Sequence, residues 1–252
     1  MDLKSVLVGI FALTFHSTKK LLLGKKVIIA FLVALFVAAV MGYAGHMSDV
    51  PLEDGTNLMD TLILFFFMPV MAMIFGSSLI RDEIDDKSIT HIATAPLDRA
   101  FSYLGYYLPL GIAVAVSMVA ISSVGMLAFF GQHGVGSEAL EIYVEFIALV
   151  VIGSFVYSSL FLMISVLFPK PVMVGLFYAF IWEGFIGSLP GVIQNASIKH
   201  YLRSVGSGWV DFGSISRWDE ASGVLGSAVL LLCLTVFFLV LGAYIFREKE
   251  LA

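Results

Sequence analysis

Long uncharged runs of hydrophobic residues alternate with short polar segments along the chain. An α-helix crosses the hydrocarbon core of a bilayer with about 20 apolar residues, and six runs approach or exceed that length. The pattern predicts an all-α membrane protein with a single transmembrane domain over residues 1–252. The six predicted spans are residues 27–45, 58–80, 104–130, 145–168, 172–189 and 223–246.

The apolar segment at the N-terminus is similar to a signal peptide, but no small-residue cleavage site follows it. Cleavage would also leave four nearby lysines outside the cell, against the positive-inside rule. Small and polar side chains recur on one helical face of the segment. We therefore expect an interfacial helix over residues 3–20 that lies flat on the cytoplasmic leaflet. The four lysines are Lys19, Lys20, Lys25 and Lys26.

The composition supports a membrane protein. Hydrophobic residues make up 60% of the chain and charged residues 13%, with a mean hydropathy of +0.99. Soluble domains have about 45–50% apolar and about 25% charged residues. The net charge of -5 does not favour a nucleic-acid partner, which needs a basic surface. A single cysteine, Cys233, excludes an intrachain disulfide and a cysteine metal cluster.

The distribution of positive charge predicts the orientation. Eleven of the 14 lysines and arginines fall on the same side of the membrane if both termini are cytoplasmic. This is the bias that the positive-inside rule describes. We expect a multi-pass protein of the cell membrane, which is the plasma membrane of a prokaryote. Both termini should lie inside, and residues 190–222 should form a long outer loop.

A charged segment, RDEIDDKSITHIATAPLDR (residues 81–99), separates the second and third predicted spans. It has five acidic and three basic side chains, and residues at helical spacing precede Pro96. A short amphipathic helix over residues 82–95 would end before this proline. The alternative is an ordinary solvated loop.

This segment resembles the cytoplasmic signature of ABC-2 type transporter permeases, in which an acidic residue and a Gly/Lys-Ser/Thr-Ile step precede Pro-x-x-Arg. The family often has Gly-Lys shortly after the arginine, whereas here Tyr106 follows Gly105. Residues 179–202 also resemble the fifth span of the family and the re-entrant outer hairpin after it. The matching positions in the charged segment are Glu83, Lys87, Ser88, Ile89, Thr90, Pro96 and Arg99.

The resemblance implies the permease subunit of an exporter, in which residues 82–95 are the coupling helix for a separate ATPase subunit. Two copies of the chain, expected as a homodimer, would assemble with two ATPases that hold ATP and Mg. Pairing with a different permease stays open. The chain itself lacks Gly-x-x-x-x-Gly-Lys-Ser/Thr, so we expect no ATPase site in it. The implied coupling residues are Asp82, Glu83, Asp85, Asp86, Lys87, Thr90, Pro96 and Arg99.

Glu183 is the charged residue that lies furthest inside a predicted span, since Asp60 and Glu145 lie within three residues of the start of theirs. A charge in this position costs about 2.5–3.5 kcal/mol to insert, so it should face protein or water. Glu183 either lines a transport path or anchors the hairpin, and of these we favour the anchor. Alternatively, the span ends near Trp182 and Glu183 lies at the outer interface.

Two other classes of function are compatible with the hydrophobic pattern. A membrane-embedded enzyme would need a second acid–base group or a metal near Glu183, and a secondary transporter usually has inverted repeats. We find neither, and we predict no catalytic residue and no metal site. The substrate stays open: an apolar and aromatic path suits a lipid, a peptide or a drug-like molecule, and export of an ion or of a cofactor-related compound is also compatible.

Overall fold

The structure is a computed structural model that describes residues 14–15, 17–47, 52–85, 99–133, 137–185, 187, 195–207 and 223–248. These residues form helices and short connections, without a strand among them. Residues 17–23 are helical and lead into the first long helix. The long and short helices that follow are α1 (Val27–His46), α2 (residues 52–85), α3 (Arg99–His133), α4 (Ser137–Leu167), α5 (residues 171–185), α6 (Ile198–Gly206) and α7 (Val224–Glu248).

Two of these helices contain a π-helical stretch. In α2, Leu52–Asp60 is α-helical, Thr61–Phe67 is π-helical and Met68–Asp85 is α-helical again. In α5, Pro171–Phe177 is α-helical and Tyr178–Phe185 is π-helical. Because π-helices are rare and often lie at functional sites, these two stretches are candidates for a functional site.

Within the described residues, five helices are long and apolar enough to cross a membrane, namely α1, α2, α3, α4 and α7. They lie at five of the six predicted positions, which confirms a multi-pass helical protein in its broad outline. The sixth position is occupied by α5, an apolar helix of Pro171–Phe185. At 1.5 Å per residue its length is about 22 Å, which is less than the hydrocarbon core. Whether α5 spans the bilayer stays a prediction.

The centre of the bundle consists of α2, α3 and α4. Between 56% and 72% of the apolar part of each is buried, compared with 17% for α1 and 11% for α7. Helix α1 packs on α3, and α7 packs on α3, α4 and α6. The outer faces of α1 and α7 are therefore available to lipid or to another protein chain.

Small residues allow the outer helices to approach the centre closely. At Gly45 of α1, an added Cβ would lie 2.9 Å from the backbone oxygen of Phe129 in α3. At Gly242 of α7, a Cβ would collide with the side chain of Tyr103. Close approach at small residues is how membrane helices gain packing energy where lipid removes the hydrophobic driving force.

The predicted interfacial helix and coupling helix lie mostly outside the described residues. Of the interfacial segment 3–20, the structure describes residues 14–15 and 17–20. Helix α2 continues past the end of the predicted span, through Arg81 to Asp85. Residues 86–98 are outside the described part of the chain, so a separate coupling helix stays a prediction.

Candidate functional site

The predicted coupling segment connects α2 and α3 at one end of the bundle. Asp82, Glu83 and Asp85 lie in the last turn of α2, and Arg99 is the first residue of α3. The same end carries the C-terminus of α7, because the ring of Phe246 lies 5.9 Å from that of Tyr103. The remaining predicted coupling residues, Asp86, Lys87, Thr90 and Pro96, lie outside the described residues.

Glu183 is fully buried and accepts four hydrogen bonds. The hydroxyl of Tyr178 and the backbone N–H of Ile198 donate to its Oε1, at 2.7 and 3.0 Å. The hydroxyl of Ser197 and the backbone N–H of Lys199 donate to its Oε2, at 2.8 and 3.4 Å. A carboxylate offers about four lone-pair positions, so these donors use its accepting capacity.

The Glu183 carboxylate caps the N-terminus of α6. The first backbone N–H groups of a helix have no partner within it, and the helix dipole makes this end positive. Glu183 accepts from two of these groups, while the Ser197 hydroxyl accepts from a third, His200 N, at 3.3 Å. The negative charge in α5 is therefore stabilised by a helix terminus and two hydroxyls, and this contact holds α6 against α5.

A buried ion pair joins α6 to α2. Arg203 donates from Nη2 to Oδ2 of Asp60, whose side chain is 3% exposed whereas that of Arg203 is 22% exposed. One turn earlier on α6, Nζ of Lys199 lies 3.8 Å from the centre of the Phe65 ring in α2. Cations at i and i+4 share one helical face, and on α6 this face is turned towards α2.

The sequence alone predicts no contact and no site role for Asp60 or Arg203. The spacing of Lys199 and Arg203 was the available signal, because two cations one turn apart need an acidic or aromatic partner when the helix is buried. The identity of that partner could not be read from the sequence, since Asp60 is 143 residues away.

The two π-helical stretches contact each other through aromatic rings. The ring of Phe66 in α2 lies 5.5 Å from the ring of Phe180 in α5, edge to face. Both side chains are partly exposed, as are Trp182 and Phe185 on α5. Phe66, Phe180, Trp182 and Phe185 are called the aromatic surface below. Glu183, in contrast to these exposed rings, is buried between the N-terminus of α6 and the side chain of Tyr178.

The described residues contain no group of three or more His, Cys, Asp or Glu side chains that could hold a metal ion. The acidic residues that the structure brings together are engaged by α6, as Glu183 and Asp60 are. The arrangement is suited to holding helices together.

Comparison with known families identifies a relationship over most of these helices. The family model of the ABC-2 family transporter protein matches residues 18–187, which is more than half of the chain. The match covers α1 to α5, including the charged segment between α2 and α3. A comparison with curated proteins found no match. The resemblance noted in the sequence is thus confirmed, and the chain belongs to the ABC-2 family of transporters, as a multi-pass membrane permease.

Proposed function

We propose that this permease exports a substrate across the cell membrane and is driven by a separate ATPase subunit. The observation that carries the proposal is the family match over residues 18–187, together with the five apolar helices. The sequence contains no Walker A motif, so in this proposal ATP and Mg would be held by the separate ATPase subunit.

The ATPase would dock on residues 82–95. The charges of Asp82, Glu83, Asp85 and Asp86 favour basic groups on that partner. Closure of two ATPases around ATP would push the segment and rock the helices between inward-open and outward-open states. The functional unit is two copies of this chain, with both termini cytoplasmic, and two ATPase subunits.

Helix α2 would carry this movement across the membrane. It is helical from Leu52 to Asp85, a length of about 50 Å, and so links the coupling residues to the opposite end of the bundle. There it contacts α6 through Asp60 and Phe65. The π-helical stretch beside these contacts is the part of α2 where the helix geometry can change most readily, since its hydrogen bonding departs from the α-helical pattern.

The aromatic surface would line the outer part of the substrate path between the two copies. Its rings are large, apolar and partly exposed, and they lie on the paired π-helical stretches. This surface suits a lipid, a peptide or a drug-like molecule. Glu183 would act as the anchor of α6 and would not contact substrate, because its four lone-pair positions are already engaged.

The first experiment is to purify the tagged chain from its native membrane in mild detergent and identify what accompanies it. We expect a stoichiometric subunit with a Walker A motif and ATPase activity in the complex. A chain that is isolated alone under several mild conditions would refute the proposal, and transport driven by an ion gradient would then indicate a secondary transporter.

Substitution of Asp82, Glu83, Asp85 and Asp86 by Ala together tests the docking segment. We expect loss of the ATPase subunit from the purified complex with the yield of permease unchanged. The matched control changes the same number of charges on the predicted outer side. Retention of the ATPase by the first variant contradicts the assignment of the coupling segment. The control residues are Asp49, Glu53, Asp54 and Glu138.

Phe180→Ala tests the aromatic surface. Aromatic contacts contribute about 0.5–1.5 kcal/mol beyond their area, so we expect transport to fall roughly 2- to 10-fold while ATPase docking is retained. Phe237, an exposed phenylalanine on α7, provides the control as Phe237→Ala. An equal effect of the two substitutions would show that the aromatic surface has no specific part in transport.

A further inference from the structure

A groove of about 430 Å³ runs between α1 and α3, away from the aromatic surface. Ala30, Ala34 and Ala38 line it on α1, at successive helical turns. Val116, Ala120 and Val124 line it on α3. Ser117 is the single polar residue in the lining. The groove is therefore a site for an apolar, elongated molecule.

The volume matches one acyl chain. A cavity of about 150 Å³ accommodates benzene, which has six carbons, so about 430 Å³ has room for roughly 17 carbons. Several lining side chains, including Phe31 and Leu35, are more than half exposed, and the groove is open at the surface of the bundle. An acyl chain can enter from the side and follow the helices.

Positive charge lies at one end of the groove. Leu22 and Val27 line this end, and the bend between them contains Lys25 and Lys26. Lys25 is exposed, as is Lys20 in the helical segment before the bend. Lysines at a membrane surface attract anionic headgroups, each by about 1 kcal/mol. The apolar groove and the lysines together have the amphipathic form of one phospholipid.

We propose that the α1–α3 groove binds one acyl chain of an anionic phospholipid, whose headgroup is held at Lys25 and its neighbours. The bound lipid fills the space between α1, which is largely exposed, and the more deeply buried α3. It attaches the turn before α1 to the membrane surface and stabilises the packing of α1. This role is independent of the substrate path and of the ATPase.

The test uses the full-length chain, with any subunits that remain bound, purified in mild detergent. The protein is titrated with phosphatidylglycerol or with phosphatidylcholine of the same chain length, and bound lipid is counted by native mass spectrometry. We expect one tightly held phosphatidylglycerol per chain. The preference over phosphatidylcholine should be about fivefold for each contributing lysine, so Lys25→Gln should reduce it about fivefold.

Ala120→Trp tests the groove itself, because the indole would occupy it from the α3 side. We expect this variant to lose retention of both lipids. Leu232→Trp, on the exposed face of α7, is the control and should retain them. If Ala120→Trp does not fold, Ala120→Leu and the Lys25→Gln titration decide the question.

Three results would overturn the proposal. Equal retention of the two lipids by the unmodified protein would exclude the headgroup contact. Retention by Ala120→Trp equal to that of the unmodified protein would exclude the groove. Dissociation of two copies by Ala120→Trp with lipid retention unchanged would identify the groove as an interface between copies. Failure of the ATPase purification leaves each of these readouts intact, so the two proposals can fail separately.

Discussion

Removal of the Glu183 carboxylate distinguishes an anchor from an isolated buried charge, because the two predict effects of opposite sign. As an isolated charge in a helix that enters the membrane, Glu183 would destabilise the protein by about 2.5–3.5 kcal/mol, and Glu183→Ala would raise stability. As a cap of α6, the same carboxylate contributes hydrogen bonds that the alanine variant lacks. The sign of the change therefore decides between them.

The structure gives the size of the second effect. Four donors reach the carboxylate, and a hydrogen bond to a charged group contributes about 1.5–3 kcal/mol. The sum is about 6–12 kcal/mol, which exceeds the insertion cost by about 2.5–9.5 kcal/mol. In Glu183→Ala, two backbone N–H groups at the start of α6 lose their acceptor in a buried environment. We therefore expect little folded protein.

Glu183→Gln is the informative intermediate. Its amide oxygen can keep the bonds from Tyr178 and Ile198, but its NH₂ group faces the N–H of Lys199, which loses an acceptor. An unsatisfied buried donor costs about 1–3 kcal/mol, so this variant should fold less well than the natural protein and better than Glu183→Ala.

The assay is the amount of monodisperse protein after extraction in mild detergent, and its thermal stability by aggregation. Glu141→Ala, which removes an exposed acid at the start of α4, controls for the change in net charge and should behave like the natural protein. Equal or higher stability of Glu183→Ala would refute the capping argument. Normal yield with abolished transport would instead assign Glu183 to the substrate path.

Two further predictions concern contacts between helices. Asp60→Asn leaves Arg203 without its charged partner, so stability should fall by about 3–5 kcal/mol. The double variant Asp60→Asn with Arg203→Gln should recover part of this loss in thermal melts, and a double variant no more stable than the single one would contradict the pairing. Gly242→Ala forces a methyl group against Tyr103 and should lower the free energy of unfolding by about 1–3 kcal/mol. Gly226→Ala, on the same helix, is the control and should be neutral because its methyl group would meet nothing within 4 Å. Equal melting temperatures for the two variants would refute the close packing.

The spans were predictable because a membrane helix must satisfy its own backbone and present apolar side chains to lipid. The run 27–45 became Val27–His46, a difference of one residue. Helix ends were harder to predict where the apolar run and the helix end at different residues. Helix α2 begins at Leu52 and continues to Asp85, beyond both limits of the predicted span 58–80, because polar residues can extend a helix into water. Hydropathy reports the membrane-embedded part and not the whole helix.

The contacts of α6 were not predictable in the same way. The sequence indicated that Glu183 needs polar surroundings, but its partners include backbone N–H groups, which every residue has. The predicted span 58–80 includes Asp60 near its start, but the sequence indicates no partner for it, whereas the structure buries it against Arg203. The π-helical stretches also have no signal in the hydrophobic periodicity, which indicates a helix but not its hydrogen-bonding pattern. Such features depend on how distant helices meet.

The polar contacts have a common consequence for the proposed transport cycle. Helix α6 is held by α2 through Asp60 and by α5 through Glu183, so a displacement of α2 relative to α5 must strain one contact or carry α6 with it. The proposed ATPase acts on the far end of α2, at residues 82–85. Energetic coupling between distant sites requires an element with two arrangements that both sites influence. In this protein α6 is positioned to be that element, because one of its faces contacts α2 and its N-terminus contacts the π-helical part of α5. The side chains of α6, which fall within the predicted outer loop 190–222, are then the ones through which movement of α2 would reach the outer end of the bundle.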